Sequence, residues 1–344
     1  MEIKKLFILI GIGCFIGLFI TYNSAIVQVS LKKWYYQLSD NADFGLDTQD
    51  GNITSARIRH KTANNNNRSI LSVLRQGRLG NGMWQYSGLL GLANMTNRVP
   101  ILNSGYRDIA QIFTLSTQID SRINILKAST RYEQRQLFIN VEETVENIRN
   151  ISEDVTLKGY FQYFRFFSSV TETIRKEFQF RTIIKQQVST FFKKVNLTDE
   201  QLIKVGIHIR RTDLNTPRQI KQGFGPPPTN YFINAMNFFR SKFRNVHFVV
   251  CSDDIKWARE HIVGDDITFA TNDLAALDMA ILVSCDHVII SNGTFSWWVG
   301  WLCTGITVKY KRMPKYNSYL YNMTRGEYWP PNDTYNHYIS IDTI

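Results

Sequence analysis

From Ile70 onward, short β-branched runs alternate with helix-period patterns. Residues 69–74 and 99–102 read as buried strands, and 83–94 between them as a helix. That βαβ unit opens its helix on the glycine-bearing turn Gln76-Gly-Arg-Leu-Gly-Asn81. Farther on, strands are expected at 204–210, 247–252, 267–270 and 287–291, and helices at 231–243, 255–261 and 273–285. Thr271, Asn272 and Asp273 are available to cap the last of these helices. Such alternation predicts an α/β protein with a doubly wound sheet, whose ligands sit at the carboxyl ends of its strands. The pattern is weaker over 103–200. There the aromatic cluster 160–167 and the stretch 171–194 read as helices around a core, with phenylalanines that pack rather than bind.

Ahead of this body lies a different texture. Residues 6–20 are all apolar or glycine, and no charge appears between Leu6 and Leu31, with lysines at 4, 5, 32 and 33. We expect a cytoplasmic tail at 1–5, a signal-anchor transmembrane helix at 6–29 and a stem at 30–69. By the positive-inside rule this is a single-pass type II protein with a lumenal body. A cleaved signal peptide ending near Ser24 and Ala25 is the alternative. Eight Asn-x-Ser/Thr sequons, at Asn52, Asn67, Asn94, Asn150, Asn196, Asn292, Asn322 and Asn332, favour the secretory pathway.

Composition narrows the classes. The 344 residues are 44% hydrophobic and 13% aromatic, which excludes a mainly disordered chain, and four cysteines exclude a disulfide-built scaffold. Cys14 falls in the anchor, so Cys251, Cys285 and Cys303 permit at most one internal disulfide and equally suit buried free thiols. Forty Lys and Arg against 29 Asp and Glu give +11, yet no run of five basic residues exists, which argues against a nucleic-acid partner.

Two segments carry the candidate chemistry. In Val205-Gly-Ile-His-Ile-Arg-Arg-Thr-Asp213, strand alternation puts Val205, Ile207 and Ile209 on one face, and His208 and Arg210 on the other. Arg211, Thr212 and Asp213 then reach the strand's carboxyl end. Forked guanidinium donors there suit a phosphate, although an Arg–Asp ion-pair latch fits the same residues. In the second segment, the strand from His287 ends in Ser291-Asn-Gly-Thr294 and runs into an aromatic helix. Backbone N–H groups at that helix start suit an anion, aided by hydroxyls of Ser291, Thr294 and Ser296. A capped buried helix fits this segment equally well by itself, and the neighbouring arginines favour the anion. Asp253 and Asp254 end a further strand, where a carboxylate accepts from a ribose or base, or simply closes a turn. No Asp-x-Asp, zinc-spaced His/Cys pair, Walker loop or Gly-x-Ser-x-Gly elbow occurs, so no metal site is expected.

Taken together, Arg78-Leu-Gly-Asn81 with its Met-Trp-Gln-Tyr continuation, His208-Ile-Arg-Arg-Thr-Asp213 and Ser291-Asn-Gly-Thr-Phe-Ser-Trp-Trp298 resemble the three motif blocks of the α-1,2-fucosyltransferase family. The resemblance covers roughly residues 70 to 335, including the stretch from Trp329 to Pro331. The second block is similar to one in α-1,6-fucosyltransferases, and the first to one in protein O-fucosyltransferases. Gly82 and Thr212 depart from the family, where Gln and Gly are common. The resemblance implies a GT-B-like fold of two Rossmann-like α/β domains facing a cleft, an acceptor-side domain at 70–200 and a GDP-fucose-binding domain at 201–344. It implies an inverting, metal-independent galactoside 2-α-L-fucosyltransferase of the Golgi membrane. The donor would be GDP-fucose and the acceptor a galactose-terminated glycan. Arg210, Arg211 and Asp213 form the implied catalytic set. His208, Arg210, Asp253, Ser291, Asn292, Gly293, Thr294, Ser296, Arg78 and Asn81 form the implied donor site. Another fucosyl linkage, or a catalytically silent glycan- or nucleotide-sugar-binding protein, remains as a rival reading.

Overall fold

The structure, a computed structural model, describes residues 68–120, 130–133, 140–272, 274–324, 328 and 337–342. The expected tail, anchor and stem lie outside these, apart from Arg68 and Ser69. Among the described residues no helix is long and apolar enough to cross a membrane.

Two parallel sheets carry the architecture. In the first, β1 (Ile70–Val73), β2 (Val99–Pro100), β3 (Thr130–Glu133) and β4 (Val155–Lys158) lie in the order β2-β1-β4-β3. The second holds β5 (Ile203–Ile209), β6 (Val246–Ser252), β7 (Ile267–Ala270), β8 (His287–Ile290), β9 (Thr307–Tyr310) and β10 (Tyr338–Ile341), ordered β10-β9-β8-β5-β6-β7. From β5 the chain winds outward to β7, then returns to the other flank of β5 at β8. Loops leaving β5 and β8 therefore diverge and open a crevice, the usual ligand position in a doubly wound sheet. Register places His208 beside Ile290, so the segments after both strands start level with each other.

Around the first sheet lie α1 (Leu79–Thr96), α2 (Arg107–Ile112), α3 (Val141–Arg149) and α4 (Thr171–Glu177), while α5 (Thr182–Lys194) packs against the later helix Ala275–Val283. The second sheet carries α6 (Pro217–Gln222), α7 (Thr229–Lys242), α8 (Ile255–His261), α9 (Ala275–Val283), α10 (Thr294–Leu302) and α11 (Tyr319–Thr324). Strand alternation in β5 follows the expectation: Val205, Ile207 and Ile209 share a core with Phe232, Met236 and Phe239 of α7. On the opposite face, Gly206 lets Leu282 of α9 approach, since a Cβ there would stand 3.0 Å from its Cδ2.

Several expectations are corrected. α1 begins at Leu79 rather than at 83, so Gly80 of the turn lies inside the helix and Gly77 just ahead of it. The stretch 171–194 is two helices, because 178–181 pairs across space: Thr114 N–H donates to Gln179 O, Arg181 N–H donates to Ile112 O, and Phe113 bridges Phe180. Within 160–167 only a single 3-10 turn forms at Phe164–Phe166, and Phe161 takes a positive φ of 51°. Leu274 precedes α9 with no side-chain cap, while Asn272 donates to Asp278 Oδ1 at 2.9 Å. Cys251, Cys285 and Cys303 are buried free thiols, and burial pushes the Cys303 thiol up to about 11.

An aromatic seam joins the sheets through α1 and α10. Trp84 lies 4.3 Å from Trp297 and 5.3 Å from Trp298, and Phe167 stacks on Trp298 at 5.7 Å. Each such ring pair adds about 1 kcal/mol beyond its buried area. The backbones meet as well. A Cβ on Gly80 would stand 2.7 Å from Phe295 N, and Trp298 Nε1 donates to Gly80 O at 3.1 Å. This contact fixes the start of α1 against the start of α10.

Candidate active site

Three segments converge: residues 75–81 after β1, 210–213 after β5 and 291–296 after β8. His208 and Ser291 begin the network. Ser291 N–H donates to His208 O at 3.1 Å, and Arg210 N–H donates to Ser291 Oγ at 3.0 Å. His208 Nδ1 and Ser296 Oγ share a hydrogen bond of 2.6 Å, with the Ser291 hydroxyl 3.2 Å from that of Ser296. Burial, with the Arg210 charge second, pushes the His208 imidazole down to about 3. It is therefore a neutral hydrogen-bonding strut at physiological pH, tying β5 to α10.

Arg210 leaves this strand end and grips Asp213. Its Nε donates to Oδ1 at 3.0 Å and its Nη2 to Oδ2 at 2.6 Å. From the first sheet's side, Arg78 Nη2 reaches the same Oδ2 at 2.7 Å. The hydrogen bond from Arg210 holds the Asp213 carboxyl below the usual carboxylate range, against a smaller burial effect. Burial disfavours the Arg210 charge, but the Asp213 hydrogen bond and charge outweigh it and the guanidinium is held more firmly protonated.

Gly293 gives this cation room beside α10. Its φ is +97°, and a Cβ there would stand 2.3 Å from Arg210 Nη1. Asn292 is buried, donates its side-chain amide to Gly225 O, and leaves its Oδ1 without a partner. Thr294 Oγ1 donates to Asn81 Oδ1 at 2.9 Å, and Gln162 Nε2 donates to the same oxygen at 3.1 Å. A forked cation, a helix N-terminus and hydroxyls thus face one crevice, an arrangement suited to a diphosphate.

Arg211 and Asp253 sit otherwise. The Arg211 guanidinium lies 3.8 Å over the Trp257 ring, with its Nε 4.0 Å from Asp254 Oδ2. Adjacent residues on extended backbone point apart, and a tryptophan face is a good cation partner, so the two arginines separate. Asp253 accepts from Arg211 N–H at 2.8 Å and from Thr212 Oγ1 at 2.6 Å, clasping the loop after β5.

Sequence reasoning passed over four participants. Gln85 is fully buried on α1, accepts from Gln76 N–H at 3.0 Å and donates to Gly159 O at 2.9 Å. A lone amide in the apolar run Met83-Trp-Gln-Tyr86 was its signal. Gln162 and Trp257 carry no local signal, since their partners lie 81 and 46 residues away. Tyr328 is the fourth: burial pushes its phenol up to about 12, and the Arg210 charge works against that.

Comparisons with known proteins bear on the family and the fold. The family model for glycosyl transferase family 11 matches residues 43–329. Mouse galactoside 2-alpha-L-fucosyltransferase Sec1 is 29% identical over 264 residues, 73% of this chain and 69% of the relative. Human galactoside alpha-(1,2)-fucosyltransferase 1 is 30% identical over 253 residues, 69% of this chain and 66% of the relative. In fold, the chain is similar to NodZ alpha-1,6-fucosyltransferase co-crystallised with GDP, with a TM-score of 0.51 and 14% identity over 72% of this chain and 96% of that one.

Proposed function

The chain belongs to glycosyl transferase family 11, and from that premise we propose that it moves L-fucose from GDP-β-L-fucose to the 2-hydroxyl of a galactose on a glycan. The acceptor oxygen attacks the anomeric carbon as the bond from that carbon to the β-phosphate oxygen breaks. The electron pair leaves with GDP, the hydroxyl proton passes to a base, and the anomeric centre inverts to an α linkage.

Negative charge builds on the β-phosphate during this step. Arg210, Arg78 and the N–H groups opening α10 meet it, and each preorganised donor of this type is worth about 3 kcal/mol. In this reading no metal takes part, so turnover survives a chelator. Asp213 is a positioning group rather than the base, because arginines occupy both of its oxygens. The observation that carries the reading is the Arg210 guanidinium packed against the glycine that opens α10. The reading extends to a Golgi protein anchored by residues 6–29 with a lumenal body. Protease protection of the body in sealed Golgi vesicles tests that topology.

Calorimetric titration of GDP and GDP-fucose into the full chain tests the donor site. Saturable binding by the wild type, at least about tenfold weaker in Arg210→Lys, is expected because lysine keeps the charge but loses the fork. Absence of binding contradicts the reading.

A further inference from the structure

Arg78 needs an aiming device. Its side chain is 79% exposed, and as the residue preceding α1 it makes no capping bond of its own. We infer that Arg75 is a positioning residue that moulds the 76–77 loop so that Arg78 faces the donor phosphates, and that position 82 is glycine because the Arg75 guanidinium and the Ile109 side chain fill the space beside it. This deepens the fucosyl-transfer reading and rests on it.

The Arg75 side chain is only 12% exposed. Its Nη1 donates to Gln76 O at 2.8 Å and to Gly77 O at 2.9 Å, which are the two carbonyls just ahead of Arg78. Its Nη2 pairs with Asp108 Oδ2 at 3.0 Å, while its Nε is buried without a partner. Taking a guanidinium out of water is costly unless its donors are engaged. Here one arm of the fork, Nη1, is directed at the two carbonyls of one turn, and the other is anchored on Asp108. From the other side, Gln85 holds Gln76 N–H, and Gly77 adopts a φ of +72° against Asn81. The loop is thus gripped on both faces, and Arg78 leaves it to meet Asp213, 135 residues away.

The glycines make room for this clamp. A Cβ on Gly82 would meet Ile109 Cδ1 first and then Arg75 Cζ and Nε at 2.7 Å, and one on Gly105 would stand 3.0 Å from Arg75 Cβ. A side chain at 82 would therefore compete with the Arg75 guanidinium and with the tip of Ile109 for one volume.

The experiment compares Arg75→Ala, Arg78→Ala, Gly82→Ala and the doubles Arg75→Ala/Arg78→Ala and Arg75→Ala/Gly82→Ala in the full chain. It reads melting temperature, kcat, and KM for GDP-fucose. Arg75→Ala should lower kcat/KM for GDP-fucose about tenfold, while its melting temperature stays close to that of Arg78→Ala. Adding Arg75→Ala to Arg78→Ala should cost less than about twofold more, since coupled residues are non-additive. Gly82→Ala should lose activity alone, and cost less when added to Arg75→Ala than it does in the wild type. Should Arg75→Ala not fold, Arg75→Lys makes the same comparison, because it keeps stem and charge but not the fork. Additive losses at 75 and 78, or wild-type kcat/KM in a folded Arg75 variant, overturn the inference alone. A wild-type chain that binds no GDP-fucose overturns the functional reading and the inference with it.

Discussion

Arg210 and Asp213 make a two-point contact, Nε to Oδ1 at 3.0 Å and Nη2 to Oδ2 at 2.6 Å, that fixes the plane of the guanidinium beside α10. Only a fork can be oriented this way. Arg210→Lys is expected to cut kcat at least about tenfold, and Asp213→Asn to do the same by releasing Arg210 while leaving its charge. Steady-state kinetics on folded variants check both. Near-wild-type turnover in either removes the role given to this pair.

Gly293 is expected to tolerate no side chain. Alanine at a φ of +97° carries a backbone strain of about 1–2 kcal/mol, and its Cβ would stand 2.3 Å from Arg210 Nη1. Gly293→Ala should weaken GDP-fucose binding by at least about tenfold, read by calorimetry. Unchanged affinity would show that Arg210 and the turn can part without harm to the donor site.

Acid should destabilise the fold through His208. Its folded value of about 3 lies below the unfolded value of 6.5, so the unfolded chain takes up the extra proton between them. The contribution is complete above pH 6.5 and is lost towards pH 3, at about 1.4 kcal/mol per unit. His247, His287 and His337 are also lowered by burial, so the difference between wild type and His208→Gln isolates this one residue. Urea unfolding at pH values of about 6.5 and 5.5 should show a smaller loss in the variant by about 1 kcal/mol. Equal losses contradict the buried neutral imidazole.

Glycosylation separates the sequons. Asn94, Asn150, Asn196 and Asn322 are exposed, whereas Asn292 is 1% exposed and donates its side-chain amide to Gly225 O. Peptide mapping of protein made in a secretory host should find Asn292 bare. Glycan at Asn292 would be incompatible with a folded site of this geometry.

Local pattern revealed much of the second sheet. Helix 255–261 coincides with α8, and the alternation through Val205, Ile207 and Ile209 gave the faces of β5. The same logic brought His208, Arg210, Asp213 and the turn from Ser291 to Ser296 into one crevice. What escaped was non-local. β3, β4, β9 and β10 are not among the strands read from the sequence, although the equally short β1, β7 and β8 are. The break between α4 and α5 contains neither proline nor glycine and arises from pairing with 112–114. Arg211 looked like a second phosphate ligand until Trp257, 46 positions on, supplied a ring for it.

The most direct measurement of the central claim is transfer of labelled fucose from GDP-fucose to a β-galactoside by the purified full chain, with and without a chelator. The account predicts one GDP released per fucosylated product, a linkage cleaved by an α-1,2-specific fucosidase, and the same rate when divalent ions are removed. GDP release with no glycan product, or a product linked elsewhere than the galactose 2-hydroxyl, would contradict it.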